Sequence, residues 1–144
     1  MKLSERIPAL LAAVFVLGGG VILSLKFFGS GADMTTHVDV RVPALSDRAK
    51  TGKSAFDANC ASCHGTNAAG SNQGPPLVHE IYNPGHHADG AFLMAVTRGV
   101  RKHHWPYGNM LRQPQVSRAQ VIDIVRYVRE LQAANGISYK PHKM

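Results

Sequence analysis

The chain has 144 residues, of which 44% are apolar and 17% are charged, and its 16 lysines and arginines outnumber its 9 aspartates and glutamates. This length accommodates one ordinary domain with an appendage and excludes two full domains. The apolar content excludes a disordered chain, and no segment repeats at the period of a solenoid. Two cysteines exclude a disulfide-rich scaffold and leave one bridge, one redox pair or two attachment points for another group.

The N-terminal region predicts a segment that enters a membrane. Residues 7–25 carry no charge and are flanked by Lys2, Arg6 and Lys26. As a helix this stretch would be about 28 Å long, close to the ~30 Å thickness of the hydrocarbon layer. The apolar core of a cleavable signal peptide is shorter, about 7–15 residues, so residues 1–28 are expected to be a retained transmembrane helix, with a cleaved signal as the alternative.

The charges around this segment predict its orientation. The short N-terminal flank carries Lys2 and Arg6, so it is expected to stay in the cytoplasm, and the residues after Lys26 are expected on the exported side. In a bacterium this means the inner membrane, with the following domain in the periplasm. Residues 29–44 then form a linker, in which Val38, Val40 and Val42 alternate with charged residues and predict an extended segment on the domain surface.

The domain, expected at residues 45–136 and followed by a tail at 137–144, is predicted to be all-α. The last helix is the clearest, because Ser117 and Gln120 form a capping box ahead of apolar residues at helical spacing. Three helices are predicted in total: from the cap Ser46 to Asn59, from the cap Asp89 to about Gly99, and from Ser117 to the stop at Asn135-Gly136.

Two long loops separate the predicted helices. Residues 64–88 and 100–116 are rich in glycine, proline, asparagine and histidine. Loops of this length are unusual in a compact domain unless something organises them. The sequence therefore predicts a bulky apolar group at the centre of the domain.

The segment Cys60-Ala61-Ser62-Cys63-His64 carries the attachment motif for c-type haem, C-x-x-C-H. Two thiols at this spacing can reach the two vinyl groups on one edge of a porphyrin, and the histidine that follows can bind the iron from one face. The motif accounts for both cysteines. It predicts one covalently bound haem c, with thioether bonds at Cys60 and Cys63 and His64 as an axial ligand of the iron.

Two other interpretations of the cysteine pair are open. A thioredoxin-like redox pair would follow a strand, whereas the residues before Cys60 predict a helix. A zinc site could add ligands from the paired histidines His86-His87 and His103-His104, although no standard zinc spacing is present. These histidines could also bind copper, replace a methionine on the haem iron, or simply be exposed loop residues.

An electron-transferring haem needs a sixth iron ligand, and methionine thioether is a common one. Three of the five methionines lie at the termini or in the linker, which leaves Met94 and Met110. Met94 lies within a predicted helix, where a methionine usually fills the core. Met110 lies in an irregular loop before the last helix and is the predicted axial ligand. The only tryptophan, Trp105, is expected to cover a haem edge or propionate.

From about residue 45 to 136 the chain resembles class I c-type cytochromes, especially small membrane-attached bacterial ones. The resemblance implies an all-α fold in which three main helices wrap around one covalently bound haem. In that family a glycine and an aromatic residue of the first helix cross the last helix. Gly52 and Phe56 match these positions, with Tyr127 as the expected partner.

The resemblance extends to the loops that face the haem. Gly74-Pro75-Pro76-Leu77 is similar to a family loop whose proline carbonyl accepts the ring N–H of the haem histidine, which implies this role for Pro75 toward His64. The family's distal methionine matches Met110. Many relatives have proline directly after this methionine, whereas Leu111 follows here.

The resemblance implies a single-haem cytochrome that transfers electrons between respiratory or photosynthetic redox partners and is not an enzyme. The alternatives are a fixed haem subunit of a larger oxidoreductase complex, a haem-based sensor, or a metal-binding protein. Partners are expected to be the membrane, through the N-terminal helix, and redox proteins with an acidic docking surface, because Arg98, Arg101 and Lys102 cluster ahead of Met110. No nucleic-acid partner is expected.

Overall fold

The structure is a computed structural model that describes residues 37–141. The predicted membrane segment and the first part of the linker lie outside these residues. Within them, no helix has the length and apolarity needed to cross a membrane. The described elements are four α-helices, α1 (Asp47–Asn59), α2 (Ala61–His64), α3 (Asp89–Arg98) and α4 (Arg118–Ala134), and two 3₁₀ turns, Thr66–Ala68 and Glu80–Tyr82.

The predicted all-α fold is confirmed for residues 37–141, which contain no strand and a single isolated β-bridge between Val100 and Met110. The predicted helix starts are confirmed at two of three positions. The Ser46 hydroxyl accepts from the backbone N–H of Ala49 at the start of α1, and Ser117 and Gln120 form the full capping box of α4.

The predicted cap of α3 is wrong by one residue. Ala88 occupies the cap position, without a side-chain hydrogen bond, and Asp89 is the first helical residue. The Asp89 carboxylate instead accepts from Arg129 Nε of α4 at 2.8 Å. A carboxylate in the first turn of a helix is favoured by the helix dipole, so this position suits Asp89 as well as a cap would.

The crossing of α1 over α4 is the central packing contact of the domain. Gly52 lies so close to α4 that a Cβ atom on it would be 1.9 Å from the carbonyl oxygen of Asp123. One turn later the rings of Phe56 and Tyr127 pack edge to face, with centroids 5.6 Å apart, and both side chains are fully buried. The crossing that the family resemblance implied is therefore present.

The remaining core is formed by the apolar face of α4 and by the segments that lie against it. The extended segment before α1 follows the domain surface, as predicted: Val38 donates to the carbonyl of Ala69 at 2.9 Å. The Asn135 side chain, just after α4, binds both backbone groups of Arg41. The predicted apolar positions of α4 are all buried, namely Val121, Ile124, Val125, Val128 and Leu131.

We expect Gly52→Ala to destabilise the domain, because its methyl group would overlap the backbone of α4 and force the two helices apart. Overpacking of this kind costs about 1–3 kcal/mol of unfolding free energy, or more where backbone must move. Gly90→Ala in α3 is the control, since a Cβ there meets nothing within 4 Å. Urea unfolding should show a lower midpoint for Gly52→Ala and an unchanged or slightly higher one for Gly90→Ala. Equal urea midpoints for the two variants would contradict a close approach of α1 to α4 at Gly52.

Candidate haem site

The C-x-x-C-H segment begins where α1 ends. Cys60 is the C-cap of α1 and its N–H donates to the Phe56 carbonyl at 2.7 Å. The short helix α2 then turns the chain back, with the N–H of His64 donating to the Cys60 carbonyl at 2.9 Å. Cys60 is half-buried and Cys63 is exposed, and no disulfide joins them. The motif therefore follows a helix, as predicted, and not the strand that a thioredoxin-like pair requires.

Two glycines allow the following loop to fold back onto this motif. Gly65 has a φ of +74°, and a Cβ on it would lie 2.1 Å from the Gly70 carbonyl oxygen. A Cβ on Gly74 would lie 2.9 Å from the Cys63 carbonyl oxygen. The loop closes with a 2.7 Å hydrogen bond from the Gly70 N–H to the His64 carbonyl. Glycine is needed at these positions because the backbone approaches too closely for a side chain.

The imidazole of His64 is held in one orientation and one tautomer. Its Nδ1 lies 2.9 Å from the carbonyl oxygen of Pro75, the contact that the family resemblance implied. A carbonyl oxygen can only accept, so Nδ1 carries the proton and Nε2 carries the lone pair. Burial lowers the pKa of His64, while the hydrogen bond to Pro75 opposes this shift. The ring is therefore a neutral imidazole whose Nε2 can bind a metal.

The chemistry of Cys60 does not match that of a redox cysteine. Burial, and then the neighbouring Cys63, raises the pKa of Cys60 to about 11. Redox-active pairs use a thiolate whose pKa is lowered by its surroundings. A raised pKa therefore does not suit a redox-active nucleophile at Cys60.

Met110 lies in a loop whose backbone is firmly positioned. Its N–H and carbonyl exchange hydrogen bonds of 3.0 and 2.9 Å with Val100. Gly99, with a φ of +80°, packs so closely that a Cβ on it would lie 2.6 Å from the Met110 carbonyl oxygen. Met94 lies in α3, but its side chain is 44% exposed. The prediction that Met94 fills the core is therefore wrong: Val96, two residues later in α3, is buried, whereas Met94 is not.

Trp105 lies among aromatic and polar side chains. Its ring packs edge to face on His79, with centroids 5.0 Å apart. Its Nε1 is buried and makes no well-formed hydrogen bond among the described residues. The Tyr82 hydroxyl is nevertheless near enough that Trp105 opposes the burial that raises the pKa of Tyr82. Buried N–H groups are almost always paired in folded proteins, and a haem propionate would be a better-placed acceptor than this weak contact.

Sequence patterns did not predict two further features. The paired histidines His86-His87 and His103-His104 come together in one group, with ring centroids 4.2 to 6.1 Å apart. Arg129 of α4 donates to the carbonyls of Tyr82 and His87, and its guanidinium lies 5.0 Å from the centroid of the Phe92 ring. The only sequence signal of the histidine cluster was that the histidines occur in pairs. No sequence signal indicated the contacts of Arg129, because its position on α4 is typical of an exposed charged residue.

The comparison with known protein families agrees with this geometry. Residues 49–132 match the family model described as Cytochrome c. The chain belongs to the cytochrome c family. No curated protein and no solved structure matches the chain. A cytochrome c contains covalently bound haem c, and this cytochrome has the residues for it: two cysteines at the required spacing, a fixed imidazole after them, and a buried indole N–H that makes no well-formed hydrogen bond among the described residues.

Proposed function

We propose that this cytochrome is a single-haem electron carrier in which His64 and Met110 are the two axial ligands of the iron. The observation that carries the proposal is the fixed, neutral His64 ring directly after the two attachment thiols. The haem, when bound, accepts and returns one electron at its iron without bond chemistry. The protein's part is to attach the group, hold its ligands in place and exclude water.

Pro75 supports this use of His64. A metal-binding histidine usually donates its second ring N–H to a carbonyl or carboxylate, which sets the ring orientation and raises the basicity of the ligating nitrogen. The 2.9 Å contact between His64 Nδ1 and the Pro75 oxygen has this arrangement. The partly buried ring and its backbone anchor leave little freedom to reorient between oxidation states. Rigid ligands favour electron transfer, because little needs to move when the iron changes charge.

The position of Met110 in the chain supports its role as the second ligand. Its loop is paired with Val100 and precedes α4, so the backbone that carries the side chain is fixed, while the flexible side chain itself can turn toward an iron. A thioether ligand raises the reduction potential relative to a second imidazole. Leu111, which takes the place of the proline found in many relatives, is 76% exposed. Its exposure indicates that this departure alters the surface more than the loop's packing.

Replacing Met110 should change the iron coordination, whereas replacing Met94 should not. In Met110→Ala we expect the sulfur-to-iron charge-transfer band of the oxidised protein to vanish and the reduction potential to fall, because a thioether ligand is lost. Met94→Leu is the matched control and should keep both. Absorption spectra and a redox titration of the two variants measure this. Loss of the band in Met94→Leu would show that Met94, and not Met110, binds the iron. Absence of the band from the wild type would indicate a histidine as the second axial ligand.

We further propose that residues 1–28 anchor the protein in a bacterial inner membrane, with the haem domain in the periplasm. The support is the uncharged stretch at 7–25, whose helical length of about 28 Å matches a bilayer, and the basic residues that precede it. A tethered carrier could then serve respiratory or photosynthetic partners on the exported side of the membrane.

Mass spectrometry of the protein extracted from membranes tests the anchor. A retained segment predicts an N-terminus at Met1 or Lys2, because no peptidase has removed the apolar stretch. A soluble product that begins near Asp33 would instead show that the first thirty residues are a cleaved signal peptide.

A third proposal concerns the docking surface for redox partners. Arg98 ends α3, and Arg101 and Lys102 follow in the loop that leads to Met110; all three are exposed. Residues 29–144 carry 13 basic and 8 acidic side chains, so this cluster adds to an overall positive charge. A positive rim beside the Met110 loop would attract and orient a partner with an acidic surface, raising the rate of encounter.

Charge reversal tests this docking surface. Electron transfer to the partner should slow as salt rises, because exposed charges are screened beyond ~8 Å at physiological ionic strength. The double change Arg101→Glu and Lys102→Glu should slow the reaction at low salt and flatten its salt dependence. Lys50→Glu with Arg118→Glu changes the net charge equally outside this loop and should have a smaller effect. Equal effects of the two double variants would show that docking uses another face.

A further inference from the structure

Three histidines from two distant segments form a compact group outside the proposed haem ligands. One ring nitrogen from each of His86, His87 and His104 lies within 4.8 Å of the others. The Nε2 atoms of His86 and His104 are 3.2 Å apart. Two imidazole nitrogens on one tetrahedral Zn²⁺, each at about 2.0–2.1 Å, lie about 3.4 Å apart. This pair is therefore spaced as two ligands of one metal ion would be, a distance that a hydrogen bond between the two rings also gives. The other nitrogen separations, within 4.8 Å, would have to shorten around an ion.

The segment that carries His86 and His87 is rigid. The backbone N–H groups of both residues donate to the carbonyl of Asn83, at 3.0 and 2.9 Å. The Asn83 side chain is itself tied to the 3₁₀ turn through a 2.7 Å bond to the Glu80 carbonyl. Arg129 binds the carbonyl of His87 from α4. These contacts fix the backbone at two of the three histidines before any ligand arrives.

His87 is oriented as a metal ligand would be. Its Nδ1 lies 2.7 Å from the carbonyl oxygen of Ile81, so Nδ1 carries the proton and Nε2 presents a lone pair. Burial, together with the nearby imidazoles and Arg129, lowers the pKa of His87, while the bond to Ile81 opposes this. Metal-ligating histidines commonly donate their second N–H to a backbone carbonyl in this way.

The third imidazole comes from the loop that ends at Met110. This loop is closed by the backbone pair between Val100 and Met110 and by a 3.0 Å bond from the Lys102 N–H to the Asn109 side chain. His104 is exposed, so its ring has room to rotate and shorten the longer nitrogen separations. The neighbouring His103 also directs Nδ1 toward a carbonyl, that of Arg101, 2.8 Å away. It packs against these rings but is not among the three histidines whose ring nitrogens lie within 4.8 Å of one another.

The donor set restricts the kind of cation. It contains imidazole nitrogens and no carboxylate or thiol. Imidazole suits Cu²⁺, Zn²⁺ and Ni²⁺, whereas Mg²⁺ and Ca²⁺ require oxygen ligands. Three nitrogens leave a fourth coordination position for water or a partner's side chain.

We propose that His86, His87 and His104 bind one divalent transition-metal ion, copper or zinc. The ion would join the segment after the Glu80–Tyr82 turn to the loop that carries Met110. This site uses neither the cysteines nor the iron ligands, so it does not depend on the proposed electron-carrier function. It would add a second metal centre to the face of the domain where the Met110 loop lies.

Metal titration of the full-length haem protein tests the proposal. The protein carries no polyhistidine tag, is extracted in detergent, and is treated with a chelator that removes bound ions other than the haem iron. Calorimetry should show one Zn²⁺ or Cu²⁺ bound per chain and no binding of Mg²⁺. Removing a residue that only hydrogen-bonds a metal ligand weakens metal affinity by ~10–100-fold. His104→Gln should weaken it more than this, because it removes a direct ligand. Zn²⁺ should also raise the unfolding temperature of the wild type, since it binds the folded chain.

His103→Gln is the matched control, because this exposed neighbour lies in the same loop and should bind the metals as the wild type does. An unchanged haem spectrum shows that each variant is folded. His87→Gln should repeat the loss seen in His104→Gln. The proposal is overturned if the wild type binds neither metal more tightly than His104→Gln does, or if His103→Gln loses as much affinity as His104→Gln.

Discussion

The hydrogen bond from His64 Nδ1 to the Pro75 carbonyl is the contact on which the proposed haem chemistry depends. It determines which ring nitrogen carries the proton, and therefore which one is able to ligate iron. The two groups are 11 residues apart, so the intervening loop must fold back onto the C-x-x-C-H motif. Gly65 and Gly74 permit this return, since each lies too close to neighbouring backbone for a side chain.

The C-x-x-C-H motif is positioned by the crossing of α1 over α4, which lies about one to two helical turns before Cys60. Gly52 and Phe56 hold α1 against α4, and Cys60 follows as the C-cap of α1. The place of the first attachment thiol is therefore set by how α1 crosses α4. Cys60 packs against the same apolar core that contains Phe56 and Tyr127, so the core and the first attachment residue belong to one packed unit. Damage to the crossing should disturb both.

Much of this arrangement could be predicted from the sequence because its signals are local or highly specific. The caps at Ser46 and Ser117 are formed within three residues, and C-x-x-C-H needs only five. The contact between Pro75 and His64, and the crossing of Gly52 and Phe56 over α4, were anticipated only through the family resemblance. The iron ligands themselves stay predictions.

The features that were missed depend on tertiary contacts. Asp89 has the residue type of a cap, yet its carboxylate pairs with Arg129, which is 40 residues away. Met94 fits a core position by its apolar character, but the register of α3 leaves it exposed. The meeting of His86 with His104 follows from how two loops fold over one another, which no periodic pattern encodes. Irregular loops are where sequence patterns carry least information about contacts.

The central claim is that one haem is attached covalently through Cys60 and Cys63, with His64 on the iron. An alkaline pyridine spectrum, together with a reduced-minus-oxidised difference spectrum of the purified protein, tests it most directly. We expect the spectrum of a haem joined by two thioether bonds, with the haem remaining on the polypeptide after denaturation. A spectrum of unmodified haem, a haem extractable by acidic solvent, or no haem at all would contradict it.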